Sequence, residues 1–193
     1  MPRICVYCAS SEGIEPSFYD DARRLGGVLA GMGATVVYGG GGGGSMGALA
    51  DGALGAGGEV VGILPRFMAD LEWGHPGLTH LELVEDMRER KHRMLVDADA
   101  VIALPGGCGT FEELFEALTL KRLTLFLKPI ILVNTNRYFD PLLKVLEQAV
   151  EQRFMANEHG NLWTVVDGPE DVPEAIENAP VWSASMRDAA VVK

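Results

Sequence analysis

A short apolar run, a glycine turn and a helix start, all within residues 99–119, constrain the fold of this chain most strongly. Residues 100–104 read Ala-Val-Ile-Ala-Leu, which predicts a buried parallel strand. Pro-Gly-Gly at 105–107, the glycine turn, ends that strand, and Thr110 is predicted to cap a helix, with Glu113 completing a capping box. Free N–H groups at such a helix start favour an anion, which predicts a phosphate-type site. Because similar turns occur without a ligand, the stretch alone leaves function open.

Strand-like and helix-like segments alternate along the chain without an internal repeat or a linker. Such alternation predicts a doubly wound α/β fold with a mostly parallel sheet, a Rossmann-like architecture. We predict a single domain over residues 1–180 and a tail over 181–193 that lacks periodicity and frays. The predicted strands cover 3–8, 34–38, 60–64, 81–84, 100–104, 129–133 and 162–166, and the predicted helices cover 17–32 (capped by Ser17), 45–54, 86–96, a segment from 110, 141–153 and 169–178.

The charge balance of the chain restricts its partners. Of 193 residues, 16 are Lys or Arg and 27 are Asp or Glu, which gives a net charge of −11. A chain this acidic repels nucleic acid, so a phosphate-bearing ligand has to be small and held by a local positive site. The composition, 48% hydrophobic and 22% charged, is typical of a soluble globular protein.

We expect no export signal and no membrane segment. The chain starts directly with a strand-like run, and the apolar tract 123–133 is interrupted by Lys128 and Pro129. Three cysteines without a secretion signal predict reduced thiols in the cytoplasm. Cys5 and Cys8 lie in one predicted strand that directs them to opposite faces, which indicates core positions rather than a redox motif. The four histidines show no metal-ligand spacing, and we expect neither a metal nor a cofactor.

A second glycine-rich segment, the glycine loop at 39–44, follows a predicted strand and opens a helix. It satisfies the Gly-x-Gly-x-x-Gly fingerprint of dinucleotide sites, but the next strand ends in Leu-Pro-Arg at 64–66 instead of an acidic residue. No Gly-Lys-Ser/Thr follows, which excludes a Walker loop. The loop is therefore either a second cradle for phosphate or ribose, or a glycine run that only permits close packing. On the first interpretation the candidate phosphate- or ribose-binding residues are Ser10, Gly41, Gly42, Gly43, Ser45 and Met46.

The helix predicted over 86–96 carries an Arg-Lys pair on its inward face. Met87 and Met94 lie seven residues apart and mark the inward stripe, on which Arg90 and Lys91 also fall. Burying a cation is costly unless an anion pairs with it. The pair therefore predicts a site in which the anion is either a ligand phosphate or a carboxylate of the protein, such as Glu72, Glu112 or Glu113.

The helix that follows the glycine turn is apolar on nearly every side. Its apolar residues are Phe111, Leu114, Phe115, Ala117, Leu118, Leu120 and Leu123. A helix of this kind is usually buried, and here we expect it to pack against a second subunit. Its acidic face, formed by Glu112, Glu116 and Thr119, would then lie in or near a cleft between subunits.

Two motifs carry a family resemblance. The first is Met-x-x-Arg-Lys at 87–91, and the second is Pro-Gly-Gly-x-Gly-Thr-x-x-Glu at 105–113. Together they resemble the LOG (Lonely Guy) family of cytokinin riboside 5′-monophosphate phosphoribohydrolases, formerly described as possible lysine decarboxylases. The resemblance covers nearly the whole chain, from Val-Tyr-Cys-Ala-Ser-Ser at 6–11, through Tyr-Gly-Gly-Gly at 38–41, to Lys-Pro-Ile at 128–130.

The resemblance implies that Arg90 and Glu113 are essential to catalysis. It also implies a homodimer with an active site at the subunit interface. Where the family often has a histidine after the methionine of the first motif, this chain has Arg88, from which we expect at most an altered substrate preference. The substrate contacts that the resemblance implies are Glu72, Lys91, Gly106, Gly107, Cys108 (a position that varies within the family), Gly109, Thr110, Phe111, Glu112 and Thr119.

The activity implied by the resemblance is hydrolysis of the N-glycosidic bond of AMP, or of an N6-substituted AMP, to free base and ribose 5-phosphate. Such hydrolysis passes through a cationic sugar, which the Glu113 carboxylate can stabilise, while Arg90 holds that carboxylate or contacts the nucleotide. The alternative is a non-catalytic nucleotide sensor or cofactor carrier on the same scaffold, akin to molybdenum-cofactor carriers, which has no need of Glu113. A lysine decarboxylase is disfavoured because Lys91, the one well-placed lysine, lies beside an arginine in a phosphate-type site.

Overall fold

The described part of the chain forms one parallel sheet with helices packed on both faces. The computed structural model describes residues 1–71 and 73–186. The strands are β1 (Arg3–Tyr7), β2 (Thr35–Tyr38), β3 (Glu59–Pro65), β4 (His80–Val84), β5 (Ala100–Ala103), β6 (Ile130–Val133) and β7 (Thr164–Val166). The helices are α1 (Pro16–Gly31), α2 (Gly44–Gly55), α3 (Arg66–Ala69), α4 (Met87–Leu95), α5 (Cys108–Arg122), α6 (Asp140–Glu151) and α7 (Val172–Glu177). The sheet order is β4-β3-β2-β1-β5-β6-β7 with every pair parallel, which confirms the predicted doubly wound α/β fold.

The strand order reverses at β1, which pairs with β2 on one side and with β5 on the other. In open parallel sheets, ligands bind beyond the carboxyl ends of the strands at such a reversal. Ser10 follows the end of β1, the glycine loop follows β2, and the glycine turn follows β5. The topology therefore brings these three segments to one edge of the sheet.

The residues of β1 alternate between the two faces of the sheet. Ile4 and Val6 belong to the apolar cluster that contains α1 and α2, whereas Cys5 and Tyr7 belong to the cluster on the opposite face with α5. Cys8 is buried in the first cluster. The two cysteines are thus core residues on opposite faces, as predicted, and burial raises the pKa of both thiols well above the usual value.

The helix starts agree only in part with the prediction. Asp86 caps α4 as predicted, because its side chain accepts a hydrogen bond from the N–H of Glu89 at 2.8 Å. α1 instead starts at Pro16 after an N-cap at Glu15, so the prediction that Ser17 is the cap was wrong. A proline suits the first turn of a helix because its φ is already helical. Proline lacks an N–H, and at this position an N–H would have no acceptor within the helix. Among the described residues, no helix combines the length and the hydropathy needed to cross a bilayer.

The packed structure extends into the segment predicted to be a frayed tail. Trp182 is only 3% exposed and belongs to the apolar cluster on the α5 face. Its ring lies 6.2 Å from the ring of the buried His159, measured between centroids. Burial of an aromatic ring contributes substantially to stability, so the segment is anchored at least as far as Trp182. Residues 187–193 of the predicted tail lie outside the described residues.

Candidate active site

A cavity of about 870 Å³ opens at the edge of the sheet where the strand order reverses. Its size is that of a pocket for a small organic ligand. The loop after β1, the glycine loop, α4 and the first turns of α5 all contribute to its wall. The predicted site residues that line it are Ser10, Gly41, Gly42, Gly43, Met46, Arg90, Gly107, Cys108, Gly109, Thr110, Glu112 and Glu113.

The side chain of Arg90 extends from α4 to the carboxyl ends of β2 and β3. Its Nε donates to the carbonyl of Ile63 at 3.1 Å, and its Nη2 donates to the carbonyl of Gly39 at 2.9 Å. The residue is 6% exposed, in agreement with its predicted place on the inward stripe. A Cβ at position 39 would lie 1.9 Å from Nη2, so only a glycine leaves room for the guanidinium there. The main chain therefore fixes this guanidinium in the wall of the cavity.

The carboxylate of Glu113 faces the same guanidinium. Its Oε1 lies 3.8 Å from Nη1 of Arg90, and Glu113 is 6% exposed. Burial raises the pKa of Glu113 from 4.5 to about 7, an increase that the positive charge of Arg90 opposes. A separation of 3.8 Å is too long for a hydrogen bond, so the pair interacts mainly through charge. A carboxyl group that titrates near neutral pH can transfer a proton or, when ionised, stabilise a developing cation.

The start of α5 provides an anion site beside this pair. The helix begins at Cys108 after an N-cap at Gly107, so the predicted cap at Thr110 and its capping box with Glu113 were wrong. The N-cap therefore lies three residues earlier than predicted, and Glu113 faces Arg90 instead of the cap. The N–H groups of Cys108, Gly109 and Thr110 have no partner within the helix. They form the positive end of the helix dipole and are suited to bind a phosphate.

The glycine loop has fewer free polar groups than the start of α5. The N–H of Gly42 donates to the carbonyl of Trp73 at 2.9 Å, and the N–H of His75 donates to the carbonyl of Gly40 at 3.0 Å. An antiparallel bridge also joins the two segments. The segment around Trp73 thus lies against the glycine loop and satisfies part of its main chain. Close packing requires glycine at position 44, where a Cβ would lie 2.6 Å from the carbonyl oxygen of Ala9, while Gly41, Gly42 and Gly43 line the cavity.

Lys91 differs from the prediction that it shares the inward position of Arg90. Its amino group forms ion pairs with the carboxylates of Glu112 and Glu116 on α5, the second at 2.6 Å. These carboxylates raise the pKa of Lys91. The ion pair with Glu112 confirms one of the protein carboxylates predicted as a partner for the basic pair. In residues 1–71 and 73–186, no three His, Cys, Asp or Glu side chains are grouped as metal ligands.

Several other predicted contacts lie away from the wall of the cavity. Ser45 is buried, and its Oγ bonds the N–H and the carbonyl of Ala9, each at 3.0 Å, which ties the start of α2 to the end of β1. Thr119 is exposed more than two turns along α5. Glu72 lies outside the described residues. The predicted site residues that do not line the cavity are Lys91, Gly106, Phe111, Ser45 and Thr119.

One wall of the cavity consists of apolar side chains that the sequence analysis missed. Leu64, Met68, Trp73 and Met87 line the cavity together with the polar groups supplied by Arg90 and the start of α5. Trp73 is 55% exposed although it is a large apolar residue. Exposed apolar residues in a segment without helical or strand periodicity were the available signal, because such residues often contact a ligand. A lining that combines apolar side chains with polar groups suits a ligand with a planar ring and a charged group.

Comparison with known sequences identifies close relatives of this chain. A family model described as possible lysine decarboxylase matches residues 46–176. A cytokinin riboside 5′-monophosphate phosphoribohydrolase of Rhodococcoides fascians is 44% identical over 153 residues, which cover 79% of this chain and 77% of that protein. The cytokinin riboside 5′-monophosphate phosphoribohydrolase LOG3 of Arabidopsis thaliana is 40% identical over 154 residues, covering 80% and 72% of the two chains.

Comparison with solved structures identifies proteins of the same fold. The molybdenum cofactor binding protein of Rippkaea orientalis is 27% identical with a TM-score of 0.70, over 91% of this chain and 95% of that one. The molybdenum cofactor carrier protein of Chlamydomonas reinhardtii has the same TM-score at 21% identity, over 93% and 98% of the chains. At that identity the second likeness shows the fold alone.

Proposed function

The chain belongs to the LOG family, and from this premise we propose that it hydrolyses the N-glycosidic bond of adenosine 5′-monophosphates, N6-modified ones included. The products would be the free base, a cytokinin when N6 carries the appropriate group, and ribose 5-phosphate. The observation that supports this most strongly is the convergence of Arg90 and Glu113 beside the start of α5, within one cavity. The names of the relatives at 40–44% identity support the same activity.

We propose that the start of α5 binds the 5′-phosphate. The free N–H groups of Cys108, Gly109 and Thr110 lie in the wall of the cavity, at the positive end of the helix dipole. Glu113 lies one turn further along the same helix. A phosphate held at the helix start would therefore place the ribose near the Glu113 carboxylate, and this fixed orientation lowers the entropic part of the barrier.

The reaction itself would depend on the Arg90–Glu113 pair. As the bond between the base and the sugar breaks, positive charge develops on the anomeric carbon and the ring oxygen, and the ionised carboxylate of Glu113 stabilises it. The same carboxylate can order the attacking water or a ribose hydroxyl. Arg90 favours the ionised form of Glu113. Burial raises the pKa of this carboxyl group, and the positive charge of Arg90 lowers it. Its anchors on Ile63 and Gly39 keep the guanidinium in place during turnover.

Activity is expected to depend on pH through Glu113. With a pKa raised from 4.5 to about 7 in the free protein, the carboxylate fraction, and hence kcat/KM, should fall about tenfold for each pH unit below about 7. The Glu113 carboxyl group binds its proton more tightly in the folded state than in the unfolded state. Its contribution to the free energy of unfolding is therefore fully present below about pH 4.5 and is lost as the pH rises through about 7. We would measure kcat/KM from pH 5.5 to 8.5. A kcat/KM that stays constant across this interval would contradict the role of Glu113.

The proposed reaction is tested by incubating the protein with AMP and with N6-isopentenyl-AMP and separating the products by chromatography. We expect free base from at least one of the two nucleotides and none from the matching nucleosides, which lack the phosphate. Nucleotide that binds tightly but is recovered intact would instead support the sensor or carrier alternative. The comparison between the two nucleotides would identify the preferred N6 substituent.

We also propose that the protein is a homodimer whose contact includes the outer side of α5 and the segment after it. Large apolar residues there remain exposed in the single chain: Phe115 at 40%, Leu125 at 67% and Leu127 at 41%. Exposed apolar residues concentrated in one region often mark a subunit interface. The acidic residues Glu112 and Glu116 lie on the same helix, so such an interface would lie next to the cavity.

Sedimentation is expected to show a dimer of 20.7 kDa chains. Leu125→Glu should yield a monomer, because it would bury a charge in the contact. Val145→Glu is the matched control, since Val145 on α6 is 59% exposed and lies outside the proposed contact. A wild-type protein that sediments as a monomer at micromolar concentration would contradict the dimer.

We propose the cytoplasm as the place where the protein works. All three cysteines are unpaired, and Cys108 is exposed in the cavity wall. Free thiols of this kind persist in reducing compartments.

A further inference from the structure

The loop between β6 and α6 has an unusual backbone conformation. Asn136 and Arg137 have φ values of 52° and 60°, in the left-handed region that non-glycine residues rarely adopt. Side chains hold the loop in this state: Thr135 donates to Asp21 of α1 at 2.5 Å, and Asn136 donates to Ser17 of α1 at 2.8 Å. Two consecutive residues in this region are costly and persist only where the surroundings enforce them.

The residue that this loop positions is Tyr138. Its hydroxyl donates a hydrogen bond of 2.6 Å to the carbonyl of Gly106 in the glycine turn. Its ring is nearly parallel to that of Phe111 on α5, with centroids 6.3 Å apart and an angle of 9° between the planes. Edge contacts with Phe18 and Phe139, at 6.0 and 5.3 Å, hold it from the other sides. The ring is therefore fixed by three neighbours, and the hydroxyl has one defined acceptor.

The hydrogen bond to Gly106 also fixes the N–H of Gly107. The two groups belong to one peptide unit, and in a trans peptide the C=O and the N–H point in opposite directions. Gly107 lines the cavity, whereas Gly106 and Tyr138 do not. In the part of the chain that the structure describes, the N–H of Gly107 makes no hydrogen bond. A carbonyl held towards Tyr138 thus turns the N–H of Gly107 to the cavity side of the turn.

A second tyrosine provides a contrast within the same molecule. The hydroxyl of Tyr38 donates to the carbonyl of Gly41 at 3.0 Å, so the glycine loop has a similar tyrosine support. There, however, the N–H of the next residue, Gly42, already donates to the carbonyl of Trp73. Only the tyrosine at the glycine turn supports a peptide whose N–H is still available to a ligand.

We propose that Tyr138 is a positioning residue that directs the N–H of Gly107 at the phosphate of the bound nucleotide. This inference rests on the proposed function, since it assumes a phosphate at the start of α5. The hydroxyl of Tyr138 contacts only the protein and acts through the peptide plane between Gly106 and Gly107. Its removal therefore weakens recognition of the phosphate and leaves recognition of the base unchanged.

The test is Tyr138→Phe, which keeps the aromatic ring and removes only the hydroxyl. Affinities for AMP, ribose 5-phosphate and adenosine are measured by calorimetry in a Glu113→Gln background, so that no turnover interferes. We expect the affinities for AMP and ribose 5-phosphate to fall about tenfold, the effect of one hydrogen bond to a charged group, with adenosine unchanged. Tyr19→Phe is the matched control, because the hydroxyl of Tyr19 makes no hydrogen bond with the described residues, and it should change none of the three affinities.

The outcomes separate this inference from the proposed function. An equal loss for all three ligands, or no loss for any, would overturn the positioning role of Tyr138 even if the protein hydrolyses nucleotides. A selective loss for the two phosphate ligands in a protein that releases no base would support the positioning role and contradict the hydrolase. If the protein that retains Tyr138 binds neither AMP nor ribose 5-phosphate, this result would overturn both the positioning role of Tyr138 and the proposed function.

Discussion

Replacing Glu113 by Gln is expected to lower base release by at least about 10³-fold while AMP still binds. The amide has the size of the carboxyl group but carries no charge, so it neither stabilises the cationic sugar nor accepts a proton from water. Glu113 is buried and faces Arg90 across 3.8 Å, whereas Glu112, the next carboxylate on α5, is paired with Lys91. Because the wild-type group is itself neutral below about pH 7, the substitution should be well tolerated by the fold.

Base release and AMP affinity would be measured for this variant together with circular dichroism. Glu147→Gln is the matched control, since it makes the same chemical change on the exposed side of α6 and should leave kcat unchanged. A Glu113→Gln protein that retains more than a tenth of the wild-type kcat would contradict the assignment of Glu113.

Replacing Arg90 by Ala is expected to lower both stability and activity. The change leaves the carbonyls of Ile63 and Gly39 without their donor and leaves Glu113 without its cation, for which we expect a loss of about 3 kcal/mol in the free energy of unfolding. The pKa of Glu113 should rise above 7, because burial then acts without the opposing charge. The pH below which activity falls should therefore move upward, together with a loss of about 100-fold in kcat.

Urea unfolding and the pH dependence of kcat would measure the two effects separately. Arg90→Lys is a second variant that keeps the charge but cannot bond both carbonyls in the same way, so it should retain more stability than Arg90→Ala. Arg93→Ala, on the exposed side of the same helix, is the control and should change neither property. Activity that remains at the wild-type level in Arg90→Ala would show that this guanidinium is not part of the site.

The fold and the inward position of Arg90 were predictable because their determinants are local, whereas the role of Glu113 was implied only by the family resemblance. Alternation of apolar runs and helical patterns specifies a parallel sheet, and chain order then brings the loops after β1, β2 and β5 to one edge. The position of Arg90 follows from its spacing to Met87 and Met94, which places it on the buried side of α4. The burial of Cys5 and Cys8 on opposite faces of the sheet was likewise predictable from the period of two along a strand.

Contacts between distant segments were not predictable in the same way. The pairing of the Trp73 segment with the glycine loop uses main-chain hydrogen bonds, which leave no side-chain pattern in the sequence. The contribution of Trp73 to the cavity lining was missed for that reason. Glu112 was among the carboxylates predicted to pair with the basic residues of α4, and it does pair with Lys91, whereas the second partner, Glu116, was not predicted.

The prediction of the N-cap of α5 was wrong for a different physical reason. Thr110 has a good capping side chain and is followed at the right distance by Glu113, so the local pattern was complete. The structure instead places the N-cap at Gly107, where no side chain is needed. A sequence pattern cannot distinguish a glutamate that caps its own helix from one that faces an arginine on the neighbouring helix.

The central claim is that Arg90 and Glu113 act on a nucleotide whose phosphate lies at the start of α5. Its most direct test is a single turnover of N6-isopentenyl-AMP with the protein in excess, in which free base and ribose 5-phosphate are both quantified. We predict one molecule of each product for every nucleotide consumed by the wild-type protein, and bound but unreacted nucleotide in Glu113→Gln. Recovery of intact nucleotide from the wild-type protein would contradict the claim.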